Sequence, residues 1–258
     1  MENDKYDLSD FTFMIPVMVE SPERERNLKT VVKYLLHHFI TNIFIVEQGN
    51  RSEVVSLLEN KYDSVRSIVY DTEKTYFHKN KLLNICIQHS TTPYIVSYDS
   101  DILFYPMQYL DAAEVIRKKK ADFCYPFDEG TYNMFKEAIV YFENNFKLEG
   151  VEEYCRRMYP DTPAPGGCLF MNKESFRKCG YENENFKSYG PEDRERVERV
   201  AKLGCIVERT SGPLFHLEHR KLKHSTTKHS FHQENINEYH KIYNMPKEQL
   251  IEYIKEWK

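Results

Sequence analysis

Apolar residues in the first part of the chain follow two alternating patterns. Residues 11–19 form a continuous apolar run with several β-branched side chains, which predicts a buried strand. Between residues 28 and 39, leucine, valine and phenylalanine recur at helical spacing and predict a helix with one apolar face. Ser21 and Pro22 favour the start of this helix, because serine caps helix N-termini and proline suits the first turn. The chain therefore begins with a strand followed by an amphipathic helix.

The same alternation continues as far as residue 101. It predicts strands over 42–48, 65–71 and 93–101 and helices over 52–62 and 80–90. Strands that alternate with helices through short connections indicate a mostly parallel sheet with right-handed crossovers. Ligands bind to such sheets beyond the carboxyl ends of the strands. In this chain acidic residues stand at those ends: Glu20, Glu47, Asp71, Asp99 and Asp101.

The pattern is less regular in the second half of the chain. It predicts helices over 107–120, 133–146 and 191–204, strands over 121–127 and 205–210, and a strand followed by a helix within 166–180. A segment rich in histidine and lysine, residues 216–232, precedes a C-terminal helix. We therefore predict one α/β domain over 1–231 and a helical tail over 232–258. Apolar positions at helical spacing favour packing of this tail on the domain, with an interface as the alternative.

Composition excludes several classes of protein. The chain has 258 residues, of which 41% are hydrophobic and 29% charged, as in globular proteins. A net charge of −4 provides no general attraction to nucleic acid or to an anionic membrane. Apolar runs fall far short of the roughly 20 residues that a spanning helix needs, and the acidic N-terminus does not resemble a signal peptide. The six cysteines form no CxxC pair and indicate reduced thiols. We expect a cytoplasmic protein that binds no nucleic acid and could rest on a membrane through partners.

Two aspartates, Asp99 and Asp101, stand one residue apart at the end of a predicted buried strand. A strand places residues i and i+2 on the same face, so the two carboxylates repel each other unless a positive group lies between them. Carboxylate oxygens suit a divalent cation of the Mg or Mn type, whose coordination shell substrate phosphates commonly complete. The alternative is a simple turn, which Asp-Ser-Asp also favours. The triplet alone does not decide between a metal site and a turn.

Several segments, taken in order, resemble one known family. YFHKNKLLN, followed by YIVSYDSDILF, resembles the donor-binding half of the β-1,4-galactosyltransferases and related GT-A glycosyltransferases. PGGCLFMNKESFRKCGYENENFKSYGPEDRERVERVAKLG resembles their acceptor-side half, and the later LFHLEH agrees with them in order and spacing. Bacterial chain-extending enzymes of chondroitin-type polysaccharide synthesis are similar in the same segments. The resemblance covers roughly residues 11–220.

This resemblance implies a fold and an activity. The fold would be GT-A, a Rossmann-like, mostly parallel α/β sheet flanked by helices, with a donor half at about 11–105 and an acceptor half at about 106–220. The activity would be metal-dependent, inverting transfer of a sugar from a UDP-sugar donor to a saccharide or lipid-linked saccharide acceptor, in polysaccharide or glycoconjugate synthesis. Galactose or N-acetylgalactosamine is expected before other hexoses.

The resemblance also implies a metal site. Mn²⁺ or Mg²⁺ would be held by Asp101 and His216, with Asp99 supporting the metal or the ribose. Family members of animals place a methionine three residues before that histidine, where this chain has Pro213. Water is therefore expected to fill part of the metal shell.

For the donor and the acceptor, the resemblance implies the following residues. Donor binding is expected from Pro16, Val17, Arg24, Glu47, Phe77, Lys79, Asp99 and Gly167. The acceptor sugar would stack on Tyr189, where the family has a tryptophan. Asp193 would be the catalytic base, and Glu192 would bind a sugar beside it. From the residues alone, Glu192 and Asp193 could equally be acids that complement the dipole of a helix N-terminus.

Other interpretations stay open at this stage. A protein that keeps the fold but only binds saccharide or acts as a scaffold would have no physical need for the full set of acids and His216. A sugar nucleotidyltransferase would need a glycine-rich loop after the first strand, and ESPERER contains no glycine. For the histidine-rich segment we favour a basic lid formed by Arg220, Lys221 and Lys223. A zinc site and a solvated charge run are the alternatives.

Overall fold

A computed structural model describes residues 5–72, 76–158, 163–221 and 226–257. Within this part of the chain the strands are β1 (Tyr6–Val17), β2 (Phe39–Gln48), β3 (Val65–Tyr70), β4 (Tyr94–Tyr98), β5 (Ile102–Leu103), β6 (Phe123–Tyr125), β7 (Thr131–Met134), β8 (Cys155–Met158), β9 (Cys168–Asn172), β10 (Val207–Arg209) and β11 (Leu214–Leu217). The α-helices are α1 (Pro22–His38), α2 (Glu53–Lys61), α3 (Lys79–His89), α4 (Pro106–Arg117), α5 (Lys136–Asn145), α6 (Lys173–Lys178), α7 (Glu192–Lys202), α8 (His232–Asn244) and α9 (Lys247–Tyr253).

Seven strands form the central sheet, in the order β10-β6-β9-β4-β1-β2-β3. β1 pairs in parallel with β2 and with β4, so the carboxyl ends of the strands meet at one edge. β9 runs antiparallel to both β4 and β6. This arrangement confirms the mostly parallel α/β sheet that the sequence predicted.

A second sheet was not predicted. It has four strands in the order β5-β11-β7-β8, and each strand contains only two to four residues. Runs of this length are too short to show a periodic pattern. One of them, β7, occupies the start of the helix that was predicted over 133–146, so that α5 begins only at Lys136. β1 also begins earlier than predicted, at Tyr6, because its first residues pair with the start of β2.

Aromatic side chains fill the core beneath the end of β4. The rings of Phe13 and Tyr98 meet edge to face with their centroids 5.5 Å apart. The Tyr98 hydroxyl lies 2.5 Å from the Tyr109 hydroxyl and donates to the carbonyl oxygen of Ile102 at 2.8 Å. These bonds join both ends of the turn that carries Asp99 and Asp101.

The tail packs against the rest of the chain. Tyr239, Ile242 and Leu250 are buried, and α8 contacts α7. The boundary between a domain and a tail at residue 232 stays a prediction. All six cysteines are free thiols. In the part of the chain that the structure describes, no helix combines the length and the apolar character needed to cross a bilayer.

The Tyr98→Phe substitution should lower the free energy of unfolding by about 1–3 kcal/mol. The carbonyl of Ile102 and the hydroxyl of Tyr109 would each lose a partner while they stay buried. Urea unfolding followed by circular dichroism measures the change. Tyr154→Phe is the control, because Tyr154 is 45% exposed and its change should stay within about 0.5 kcal/mol. Equally small changes in both variants would contradict the prediction.

Candidate active site

A cavity of about 400 Å³ opens beyond the carboxyl ends of β1 and β4. Its size is within the range of small-molecule sites. Eleven of the residues that the sequence predicted for the site line it: Pro16, Arg24, Phe77, Lys79, Asp99, Asp101, Gly167, Tyr189, Glu192, Asp193 and His216. The two halves of the chain that resembled a donor half and an acceptor half therefore meet at one cavity.

The structure does not bring Val17 and Glu47 to the lining of this cavity. Both residues are 1% exposed, and they are partners in the register of β1 and β2. One Glu47 oxygen accepts a hydrogen bond from the Ser52 backbone nitrogen at 3.0 Å, at the start of α2. Because side chains alternate between faces along a strand, a position at a strand end does not tell which face the side chain takes.

Asp101, His216 and His219 form a group of possible metal ligands. β11 pairs antiparallel with β5, and the Leu217 backbone nitrogen donates to the carbonyl oxygen of Asp101 at 2.8 Å. This pairing brings both histidines beside the aspartate, so that one possible ligand atom from each of the three residues lies within 4.8 Å of the others. The sequence showed the pair of histidines, but only His216 was assigned to the metal. His219 is a further possible protein ligand at a site for which the sequence indicated water.

Electrostatics within this group favour an ionised aspartate. The Nε2 atom of His219 lies 3.0 Å from an oxygen of Asp101, and that of His216 lies 4.0 Å from the other oxygen. Burial raises the pKa of Asp101, but the bond from His219 and the charges of His216 and Arg24 outweigh it and hold the pKa well below its ordinary value. One carboxylate and two imidazoles are a suitable donor set for a divalent transition metal. The three residues therefore fit the metal that the resemblance implied.

Asp99 has a different partner. Its carboxylate lies 2.9 Å from the Nζ atom of Lys79, the first residue of α3, and it is not part of the three-residue group. Burial raises the pKa of Asp99, and the neighbouring Lys79 opposes this rise. A role for Asp99 at the metal stays a prediction.

Two cations orient Asp193 at the start of α7. Lys79 Nζ lies 3.4 Å from Asp193 Oδ2, and Arg196 Nη2 lies 2.5 Å from Asp193 Oδ1. Arg196 is itself almost fully buried and pairs with Glu182 at 2.6 Å. Burial raises the pKa of Asp193, but Lys79 and Arg196 outweigh this effect and hold the pKa below its ordinary value. A Cβ atom at Gly166 would collide with the Asp193 carboxylate, so the loop can approach this closely only with glycine.

The pKa of Glu192, next to Asp193, is shifted in the opposite direction. Glu192 is 7% exposed, and its Oε2 atom has no hydrogen-bond partner among the described residues. Burial, together with the charge of Asp193, raises the pKa of Glu192 to about 8. The carboxyl group is therefore mostly protonated at neutral pH and can donate a hydrogen bond to a ligand. Adjacent acids with pKa values shifted in opposite directions are typical of catalytic sites.

The rim of the cavity carries the remaining predicted residues. The side chain of Tyr189 is 52% exposed and borders the cavity. Lys221 also lines it, whereas Lys223 lies outside the described residues. Of the three basic residues that the sequence assigned to a lid, Lys221 therefore lies at the rim of the cavity.

A mostly parallel α/β sheet flanked by helices, with a cavity beyond the carboxyl ends of its strands, is the arrangement of the GT-A glycosyltransferase fold. The family described as Glycosyl transferase family 2 matches residues 12–180, more than half of the chain. The chain belongs to this family. A second family, described as the N-terminal domain of galactosyltransferase, matches residues 147–229. These matches confirm the resemblance that the sequence motifs indicated. No curated protein matches the chain.

Two glycosyltransferases are among the solved structures that are similar to this chain. The catalytic domain of Drosophila beta1,4galactosyltransferase 7, solved with xylobiose, is 16% identical, with a TM-score of 0.44 over 79% of this chain and 64% of that one. Mannosyltransferase PcManGT from Pyrobaculum calidifontis, solved with GDP-Man and Mn²⁺, is 12% identical, with a TM-score of 0.53 over 81% and 56%. The chain thus spans less than two thirds of the length of each. The mannosyltransferase shares the GT-A fold.

Glu192→Gln should remove a dependence of stability on pH. The pKa of Glu192 is about 8 in the folded protein and near 4.3 in an unfolded chain. The folded state holds the proton over this interval, so the wild type loses stability as the pH rises from about 4.3 to about 8. The melting temperature of the variant should therefore exceed that of the wild type at pH 8.5 by more than at pH 5. Thermal unfolding at both pH values tests this, with the exposed Glu248→Gln as the control. Parallel pH profiles for Glu192→Gln and the wild type would refute it.

Proposed function

We propose that the protein is a metal-dependent, inverting glycosyltransferase that transfers a hexose from a UDP-sugar to a saccharide acceptor. One observation carries this proposal: a single cavity joins a group of metal-ligand type to a carboxylate, Asp193, that two cations orient. Family membership supports the reaction class. The match of residues 147–229 to a galactosyltransferase family supports galactose or N-acetylgalactosamine as the sugar.

Asp101, His216 and His219 would hold the metal ion. When bound, the ion supplies positive charge to the diphosphate leaving group. Imidazole ligands suit transition metals, whereas Mg²⁺ prefers oxygen ligands only. The donor set therefore favours a transition-metal ion over Mg²⁺, and Mn²⁺ is the transition-metal ion that the family resemblance implies.

The walls of the cavity suit a nucleotide diphosphate. Pro16 and Phe77 offer apolar surface to the base and ribose, while Arg24 and Lys221 bring positive charge to the same space. Lys79 reaches carboxylates on both sides of the cavity and can donate to a phosphate oxygen that comes between them. A uridine nucleotide is the donor that the family resemblance supports.

Asp193 would act as the general base. Its Oδ1 atom is held by Arg196 at 2.5 Å, whereas among the described residues the nearest charged partner of its Oδ2 atom is Lys79, at 3.4 Å. Oδ2 is therefore the oxygen that accepts the proton of the acceptor hydroxyl. In one in-line step the hydroxyl oxygen bonds to the anomeric carbon, and the bond from that carbon to the phosphate oxygen breaks with inversion. When a bound diphosphate draws the Lys79 ammonium away from Asp193, the pKa of Asp193 rises, because Lys79 is one of the groups that lower it. The carboxylate then becomes a stronger base.

Glu192 and Tyr189 would bind sugar. The protonated carboxyl of Glu192 can donate a hydrogen bond to a hydroxyl group, and the exposed ring of Tyr189 offers a face for stacking. A tyrosine gives a smaller face than the tryptophan of the family, which supports a different acceptor from that of the animal enzymes. A role in polysaccharide or glycoconjugate synthesis, a lipid-linked acceptor, peripheral membrane association and a cytoplasmic location stay predictions.

Two rival functions fit the structure less well. A protein that only binds saccharide has no need for a base oriented by buried cations. A sugar nucleotidyltransferase needs a glycine-rich loop after β1, but residues 18–26 contain no glycine and Ser21 caps α1 by accepting from the Arg24 backbone nitrogen.

A panel of UDP-sugars, with Mn²⁺ or with a chelator, tests the reaction class. We expect turnover of one UDP-hexose that requires metal, and we expect Asp193→Asn to lower kcat by about 10²- to 10⁴-fold. Asp111→Asn, an exposed substitution on α4, should leave kcat unchanged. If the folded wild type binds no uridine nucleotide in the presence of metal, the proposal is wrong.

Removal of one imidazole tests the metal site separately. His219→Ala should weaken Mn²⁺ binding by at least about tenfold, because the ion loses a direct ligand. Isothermal titration calorimetry measures the affinity without any turnover, and the exposed His240→Ala is the matched control. Equal Mn²⁺ affinity for His219→Ala and the wild type would show that His219 is not a ligand.

A further inference from the structure

The geometry points to Asn235, in the tail, as a positioning residue for the acceptor site. It holds the loop over residues 187–190, named here the acceptor loop, which presents Tyr189 at the rim of the cavity. This inference rests on the proposed function, because it takes Tyr189 as the surface on which an acceptor saccharide stacks. No residue of α8 lines the cavity among those that the structure describes. Asn235 therefore acts through the loop and not on the substrate.

The Asn235 side chain is fully buried and bonds to the backbone of the acceptor loop on both of its polar atoms. Its Oδ1 accepts from the Lys187 backbone nitrogen at 3.1 Å. Its Nδ2 donates to the carbonyl oxygens of Lys187 at 2.8 Å and Tyr189 at 3.4 Å. The asparagine amide thus takes the place of a neighbouring backbone strand. Alanine at position 235 would leave these backbone groups without partners in a buried environment.

His229 supports the same carbonyl group. Its Nδ1 accepts from the Phe231 backbone nitrogen at 3.1 Å, so in the neutral ring the proton is on Nε2. Nε2 lies 2.5 Å from the carbonyl oxygen of Tyr189 and donates to it. His229 is only 8% exposed. The carbonyl of Tyr189 therefore receives two side-chain donors, His229 from the histidine-rich segment and Asn235 from α8.

Backbone conformation explains why the acceptor loop needs this support. Ser188 has φ 59°, in the left-handed region that residues other than glycine rarely adopt. Such a conformation persists only when its surroundings hold it. On one side the Ser188 backbone nitrogen donates to the carbonyl oxygen of Phe77 at 2.9 Å, and Phe77 is one of the residues that line the cavity. On the other side stand Asn235 and His229.

The close approach of α8 also fixes the identity of residue 190. A Cβ atom at Gly190 would lie 2.7 Å from Nδ2 and 3.1 Å from Cβ of Asn235. A side chain at this position would push the loop away from the helix. Asn235 and Gly190 therefore form one contact, and substitution of either should displace Tyr189.

Kinetics with separate donor and acceptor titrations test the inference. The donor is the UDP-hexose that the wild type turns over, and the acceptor is the p-nitrophenyl glycoside that it glycosylates best. Asn235→Ala should raise the acceptor KM by about tenfold or more, while the donor KM and the Mn²⁺ affinity stay within about twofold of the wild type. Gly190→Ala should give the same split. Asn237→Ala is the matched control, because Asn237 lies two residues further along α8 and is exposed. A rise in donor KM as large as that in acceptor KM, or no rise at all, would overturn the inference.

A double-mutant cycle separates positioning from a general loss of stability. If Asn235 acts through Tyr189, Asn235→Ala should change the acceptor KM much less in a Tyr189→Ala background than in the wild type. A merely structural role would give the same fold-change in both backgrounds, and that result would also overturn the inference.

Hydrogen exchange gives a test that needs no turnover. Amides of residues 187–190 should exchange faster in Asn235→Ala than in Asn237→Ala, while those of α3 keep the wild-type rate. Unchanged exchange in the acceptor loop would refute the positioning role even if the enzyme is active. A folded wild type that binds no uridine nucleotide would refute the proposed function instead, and the exchange result would still decide whether Asn235 holds the loop.

Discussion

Lys79 forms ion pairs with carboxylates from the two halves of the site, and the arrangement of the other charged groups depends on this pairing. Its Nζ atom lies 2.9 Å from Asp99 and 3.4 Å from Asp193. Four acidic side chains line one cavity in the described part of the chain, and repulsion between the ionised ones in a medium of low dielectric would oppose folding unless cations balance it. Lys79 balances the centre of the cluster, Arg196 lies behind Asp193, and two imidazoles flank Asp101. The same cations that permit folding orient the groups that act on a substrate.

Sequence patterns predicted the parts of the fold that are long and periodic. The core strands β1, β2 and β4 and the helices α1 and α3 lie where apolar spacing indicated them. The second sheet was missed because its strands are too short for any period to register. This sheet matters for the site, since the pairing of β11 with β5 brings His219 to Asp101. The pair of histidines was visible in the sequence, but the approach of His219 to Asp101 depends on a tertiary contact.

The buried ion pairs of α7 are the second feature that the sequence pattern could not predict. The sequence of α7, EDRERVERVAK, has the pattern of a solvated polar helix, yet Glu195, Arg196 and Arg199 are almost fully buried. Arg196 pairs with Glu182, which lies in a loop before the helix, and Arg199 pairs with Glu195 one turn away. The hydropathy pattern along a chain does not reveal an ion pair between a loop residue and a helix residue. The environment of Asp193 therefore became apparent only when these side chains were placed together.

The position of β9 has a consequence for how the chain is made. β9 lies between β4 and β6 in the sheet, although β5, α4, β6, β7, α5 and β8 separate it from β4 along the chain. While the ribosome adds those elements, β4 has β1 on one side and an open apolar edge on the other. Closing that gap requires a long-range contact, which forms slowly. A chain that ends before β9 would therefore lack more than the residues that follow it. Its central sheet would be incomplete, and the exposed edge of β4 could pair with other chains.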